Sequence, residues 1–141
     1  MGFTEKMLIS VLAVTFIVFG WYGFDVYGRA MAGETAVAEF SGTMWIMFGS
    51  YIALVMAAAI ITGIVAHFQG DELEEDERDR LIELKAERVG SYTQTFGLIG
   101  LLVMVISEYS AFVIAHAILA VMVISTTITF LLRLYFYRRG Y

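Results

Sequence analysis

Residues 44–68 read "MWIMFGSYIALVMAAAIITGIVAHF", twenty-five residues without one Asp, Glu, Lys or Arg. Crossing a bilayer as a helix takes about 20 mostly apolar residues, with a usable range near 17–25. A run this long and this apolar has few other destinations. Three more follow the same pattern: "MLISVLAVTFIVFGWYGF" (7–24), "TQTFGLIGLLVMVIS" (93–107) and "AFVIAHAILAVMVISTTITFLLRLYFY" (111–137). The third reaches spanning length once "VGSY" before it and "EYS" after it are included. Sixty per cent of the 141 residues are hydrophobic, above the ~45–50% of a soluble domain. The expected fold class is therefore all-α: one polytopic membrane domain over 1–141, with spans near 7–28, 44–68, 90–109 and 111–137. "Ala30-Met31-Ala32" resembles a signal-peptide cleavage site, but the long apolar run before it favours a retained first span.

Orientation follows from Lys and Arg, because acidic residues contribute little to the positive-inside bias. With four spans, both termini and the 69–90 segment share one side, which carries Lys6, Arg78, Arg80, Lys85, Arg88, Arg133, Arg138 and Arg139. The other side carries only Arg29. This asymmetry predicts an inner (plasma) membrane protein with cytoplasmic termini. Trp21, Tyr22, Tyr27, Trp45, Tyr109 and Phe112 would form the outer aromatic belt. Phe68, Tyr92, Phe96, Tyr135 and Tyr137 would form the inner one.

Between spans two and three lies "DELEEDERDRLIELKAER" (71–88), with nine carboxylates against four basic residues. Its net charge of −5 equals that of the whole chain. From Asp76 onward good helix formers dominate, and the acid-first pairs Glu74/Arg78 and Asp76/Arg80 are four apart. On a helical wheel Asp79, Glu83 and Glu87 form one stripe, opposite Arg78, Leu81, Ile82, Lys85 and Val89. That opposite face suits a headgroup zone, where basic side chains snorkel. The expectation is a charged cytoplasmic helix lying along or steeply tilted to the membrane, with a hinge at Gly90. It is a solvated connector or a docking face, with Asp76, Asp79, Glu83 and Glu87 attracting a basic protein partner. Direct binding of nucleic acid is disfavoured by the same negative sign. An EF-hand is disfavoured because the run lacks the central Gly.

"DERDRLIELKAERVGSY" (76–92) resembles the signature of a family of small, uncharacterised bacterial and archaeal membrane proteins with four spans. Asp76, Glu77, Arg78, Asp79, Ile82, Lys85, Ala86, Arg88 and Tyr92 fill its positions. The resemblance covers about 17 residues and implies the four-span layout without implying an activity. Some members of that family resemble partners of small DNA-binding regulators, which favours the docking idea.

Ionisable residues at membrane depth are costly and suggest function, yet none here falls at a span's centre. Asp25, Glu108 and His116 lie toward outer ends, His67 and Arg133 toward inner ends. Small multidrug-resistance exporters resemble this chain in layout, but the Glu they carry in the first span has no counterpart in "VLAVTFIVFG". His67 and His116 should be separated by roughly 20–30 Å in depth, so they cannot be the two axial ligands of one haem. No cofactor is expected. Asp25, Glu34, Glu39, Glu108 and His116 gather near the outer face and form a candidate divalent-metal site. With no tight ligand spacing such as H-x-x-x-H, interfacial polarity is the favoured reading, with His116 hydrogen-bonded to a neighbouring helix.

In lipid, helices associate through close packing of small residues. Gly49, Ser50, Ala53, Ala57 and Ala58 suggest span two as the central packing element. Span three offers Gly97 and Gly100, and span four offers Ser125, Thr126, Thr127 and Thr129. There is no Cys, no phosphate-cradling Gly loop and no nucleophile–base pair at plausible spacing, so an enzyme is not expected. The leading expectation is a non-enzymatic accessory or interaction protein docking through 71–88. The alternative is a small homodimeric transporter or channel, which needs a polar cavity lined by the Ser/Thr run, Tyr51 or Asp25. A third is the outer-face metal binder.

Overall fold

The computed structural model describes residues 2–70 and 77–139 and, among them, contains helices and short turns but no strand. Four helices follow one another: α1 Phe3–Met31, α2 Val37–Gln69, α3 Glu77–Ile106 and α4 Ala111–Arg139. All four are long and apolar enough to cross a membrane. Each runs 29 to 33 residues, or roughly 44–50 Å at 1.5 Å per residue. That exceeds the ~30 Å hydrocarbon core, so their ends reach into the headgroup zones. The start of α1, the end of α2, the start of α3 and the end of α4 lie at one end of the molecule, here the termini end. The two short turns mark the loop end.

Both short turns close with the same hydrogen-bond pattern. After α1, Glu34 N–H donates to Arg29 O and Gly33 N–H to Ala30 O, at 3.1 and 3.0 Å. Gly33 takes the left-handed φ of 99° that this C-terminal motif requires. After α3, Tyr109 N–H donates to Met104 O and Glu108 N–H to Val105 O, both at 3.1 Å. The left-handed position there is Glu108, with φ 57° and a Cβ that disfavours it. Two of the last carbonyls of each helix are thereby satisfied and the chain reverses in a few residues.

The helices pair as hairpins, α1 with α2 and α3 with α4, and the hairpins meet along α1 and α4. Among the described residues the backbone of α3 approaches α4 alone. Close approach is set by glycine: a Cβ on Gly90 would collide with Thr129 Oγ1 and lie 3.5 Å from Ser125 O. One on Gly97 would overlap Val121. The hydroxyls beside these glycines return to their own helix, Thr129 Oγ1 to Ser125 O and Ser125 Oγ to Met122 O, both at 3.0 Å.

Two expectations about packing fail. Span two is not the centre: 33% of the apolar window of α1 is buried against 6% of that of α2. Gly49, Ala53 and Ala57 face outward, and nothing lies within 4 Å of where a Cβ on Gly49 would stand. The core instead gathers on α1, where Val18 and Tyr22 meet Met47 of α2, with Phe19, Tyr51 and Leu119 around them.

Among the described residues there is also no separate surface helix. α3 runs unbroken from Glu77 through Gly90 to Ile106, so Gly90 is a packing position and not a hinge. The reason is visible in what the charged part touches. Ile82, Ala86 and Gly90, four apart, are buried, and Glu83 pairs with Arg133 of α4 at 3.0 Å. α4 continues to Arg139, giving the charged turns of α3 a helix to lie on instead of the membrane surface. Residues 71–76, with Asp76 of the expected docking stripe, are outside the described residues.

Candidate functional site

The loop end is organised by Arg29. Its Nε donates to Glu34 Oε2 at 2.6 Å, one terminal nitrogen to Thr43 Oγ1 at 3.1 Å and the other to Glu39 O at 2.6 Å. Asp25, one turn before it, forms a 3.6 Å ion pair with the same group. The guanidinium carbon sits 4.4 Å above the Phe40 ring, a geometry in which the ring's negative face attracts the cation. Phe40 is fully buried. Glu39 Oε2 also accepts the Ala36 N–H at 3.0 Å, closing the first turn of α2.

Beneath this lid lies an aromatic cage around His116. Its ring is 4.3 Å from Phe112, 5.6 Å from Phe40 and 5.9 Å from Tyr22, centroid to centroid. His116 Nδ1 is 2.7 Å from the carbonyl of Phe112, and Nε2 is 3.0 Å from the Tyr22 hydroxyl. A carbonyl only accepts, so Nδ1 carries a proton. In the neutral imidazole Nε2 is then the acceptor and Tyr22 donates to it. Tyr22, expected in the outer aromatic belt, is buried at 4% exposure. The pair borders a groove of about 330 Å³ between α1 and α4, walled by Phe19, Val26, Leu119 and Val123.

Further toward the middle, Thr15 is buried, donates to Val11 O at 2.8 Å and stands 3.3 Å from Tyr51 Oη. These two hydroxyls, with Thr126, line a small chamber of about 70 Å³. It shares Phe19 and Val123 with the groove above. Thr126 in turn also walls a polar groove of about 260 Å³ between α3 and α4, lined by Glu87, Ser91, Gln94, Ser125 and Thr129. Polar groups thus recur from Asp25 and Tyr22 on α1, past Thr15, Tyr51 of α2 and Thr126 of α4, to Gln94, Ser91 and Glu87 on α3. They are individually unremarkable in sequence, since one Thr or Tyr in a span carries no signal. Thr15 and Gln94 escape the sequence reading for that reason; the hydrogen bond from His116 to a neighbouring helix is expected, but Tyr22 as its partner is not.

The expected docking acids are placed differently from a solvated stripe. Glu83 is tied to Arg133, whose side chain is 13% exposed. Asp79 is half-buried beside Tyr137, while Glu87 is exposed at the mouth of the α3–α4 groove. Of the candidate metal residues, Asp25 and Glu34 meet only through the Arg29 guanidinium between them. Asp25 is with Arg29, His116 with Tyr22, and Glu108 in the turn after α3. Among the described residues no three His, Asp or Glu side chains are grouped to hold a metal ion.

No curated protein and no solved structure matches this sequence. A family model described as a predicted membrane protein (DUF2178) does match, over residues 4–141. That span takes in all four membrane-length helices, both short turns and every polar group along α1 and α4. This four-span helical membrane protein therefore belongs to the DUF2178 family of predicted membrane proteins.

Proposed function

We propose that the protein is a small non-enzymatic channel or transporter of the inner membrane that passes a water-sized species, such as a proton, along α1 and α4. The observation that carries this reading is the sequence of adjoining cavities, each sharing a wall with the next through Thr126 or through Phe19 and Val123. Polar groups at membrane depth are retained where they serve a path or find partners. The narrowest chamber, about 70 Å³, has room for about two waters at ~30 Å³ each. The Lys and Arg asymmetry supports cytoplasmic termini. Two copies are the working unit in this reading, because the Ser91–Gln94 groove is open along one side and four helices enclose little space.

Reconstitution tests it. Vesicles holding the protein, a trapped pH dye and an imposed potassium diffusion potential should acidify faster than empty vesicles. Thr126→Val and Thr15→Val should slow that acidification severalfold while the protein stays folded. Acidification no faster than in empty vesicles counts against the reading.

A second reading keeps the protein as an accessory subunit that docks a basic partner. It is favoured by the run of six acids within residues 71–77, which creates a strongly negative local field. Since Asp79 and Glu83 turn inward, the docking ground is that run together with Glu87. Neutralising it should release a co-purifying basic protein without affecting insertion, and unchanged recovery of such a partner would sink the idea.

A further inference from the structure

At the termini end, α1 and α3 both flank α4 without a backbone approach to each other, and the gap between them is a cleft of about 230 Å³. Its floor is Phe130 and Arg133 of α4, and its walls include Thr4, Met7 and Val11 of α1 and Glu83 of α3. The cleft is smaller than the ~300–1,000 Å³ typical of whole-ligand pockets, so it suits a headgroup and the first stretch of a chain. One end is apolar and the other is charged.

The charged end is incompletely satisfied. Arg133 gives one terminal nitrogen to Glu83 at 3.0 Å, but its Nε is buried without a hydrogen-bond partner. One helical turn on, the Tyr137 hydroxyl is also buried, beside the Asp79 carboxylate and the Thr4 hydroxyl, with no hydrogen bond of good geometry to either. Buried donors are nearly always paired, and an exception points to a missing ion, water or ligand. Both vacancies are donors, and donors of this kind hold a phosphate oxygen well. A bare anion, however, would sit beside the carboxylates of Glu83 and Asp79, with Glu5 and Arg138 paired at 3.8 Å nearby. A group carrying both signs meets neither penalty.

We propose that this cleft binds a zwitterionic glycerophospholipid of the phosphatidylethanolamine type. Its phosphate takes the Arg133 Nε–H and the Tyr137 hydroxyl, its ammonium sits by Glu83 and Asp79, and its chain runs along Met7, Val11 and Phe130. The source is the bilayer itself, because the apolar end lies along the membrane-spanning part of α1 and α4.

The full chain, purified and stripped of lipid in detergent, is titrated with short-chain phosphatidylethanolamine. Parallel titrations use phosphatidylglycerol and diacylglycerol of the same chain length, and inorganic phosphate with ethanolamine. Thermal unfolding and native mass spectrometry are read together, since a ligand of the folded form alone raises its stability. The expected result is a one-to-one phosphatidylethanolamine adduct and a midpoint raised by several degrees, with much smaller effects from the others. Tyr137→Phe removes a hydroxyl that makes no hydrogen bond of good geometry, so it should change the unliganded midpoint little while reducing the lipid-induced shift. Met7→Trp should fill the cleft and abolish the adduct. An equal response to phosphatidylglycerol overturns the zwitterionic assignment, and an equal response to phosphate with ethanolamine overturns the lipid. No shift, an equal response to diacylglycerol, or an unchanged shift in Tyr137→Phe overturns the site.

Discussion

The Tyr22 hydroxyl meets His116 Nε2 at 3.0 Å across the seam between α1 and α4. The pair are 94 positions apart in the chain, and they join the first hairpin to the second. The partner bond from His116 Nδ1 to Phe112 O, 2.7 Å, fixes the tautomer that lets Tyr22 donate.

Tyr22→Phe keeps the ring and its packing but leaves Nε2 without a donor. A buried acceptor stripped of its partner costs about 1–3 kcal/mol, so the unfolding midpoint in detergent should fall. His116→Phe in the same background should cost less than it does alone, because the shared bond is already gone. Additive effects in that double-mutant cycle would mean the hydrogen bond contributes nothing.

Gly90→Ala should destabilise the α3–α4 hairpin, since the new methyl would collide with Thr129 Oγ1. Forcing an extra carbon into a filled contact costs about 1–3 kcal/mol. Thr129→Ala should recover part of the loss by emptying the space. Were Gly90 a hinge instead, Gly90→Ala would be tolerated in stability and Thr129→Ala would not rescue it.

Glu108 occupies a left-handed position, φ 57°, that costs an L-residue about 1–2 kcal/mol. Glu108→Gly relieves that strain and loses about 0.4–1 kcal/mol of it to the freer unfolded chain. The measured result should be a net gain of roughly 0.5–1 kcal/mol. A loss would assign the carboxylate a role beyond terminating α3.

Glu83→Gln leaves Arg133 with a neutral partner in a place where its side chain is only 13% exposed. Removing one member of a fully buried pair costs about 3–5 kcal/mol. Glu83 is 29% exposed, so a smaller cost of about 1–3 kcal/mol is expected. Replacing both, as Glu83→Gln with Arg133→Leu, should be milder than either single change, by comparison of thermal midpoints.

The four spans were legible because uncharged runs such as 44–68 leave a helix few options. The layout of 71–92 was not. A helical wheel groups Asp79, Glu83 and Glu87 correctly, but it cannot say whether that face turns to water or to a neighbour. Arg133, 50 positions away on α4, decides that by drawing Glu83 inward. Gly90 posed the same difficulty, because a glycine that bends a helix and one that admits a neighbour look identical in sequence. Small residues on α2 outnumber those on α3, yet the close contact forms where Gly90 and Gly97 meet Thr129 and Val121. Tyr22 was assigned to an aromatic belt from its depth alone, and its rotation about α1 placed it inside.

The division into two hairpins gives this molecule one compliant direction. Within each hairpin the helices are held along their length, while the halves are joined chiefly by the α1–α4 line. A change in bilayer thickness or lateral pressure acts on both halves, and the least resisted response is a pivot about that line. The Tyr22–His116 bond near one end and the Glu5–Arg138 pair near the other both cross that line, so a rocking of the halves would load them in opposite senses.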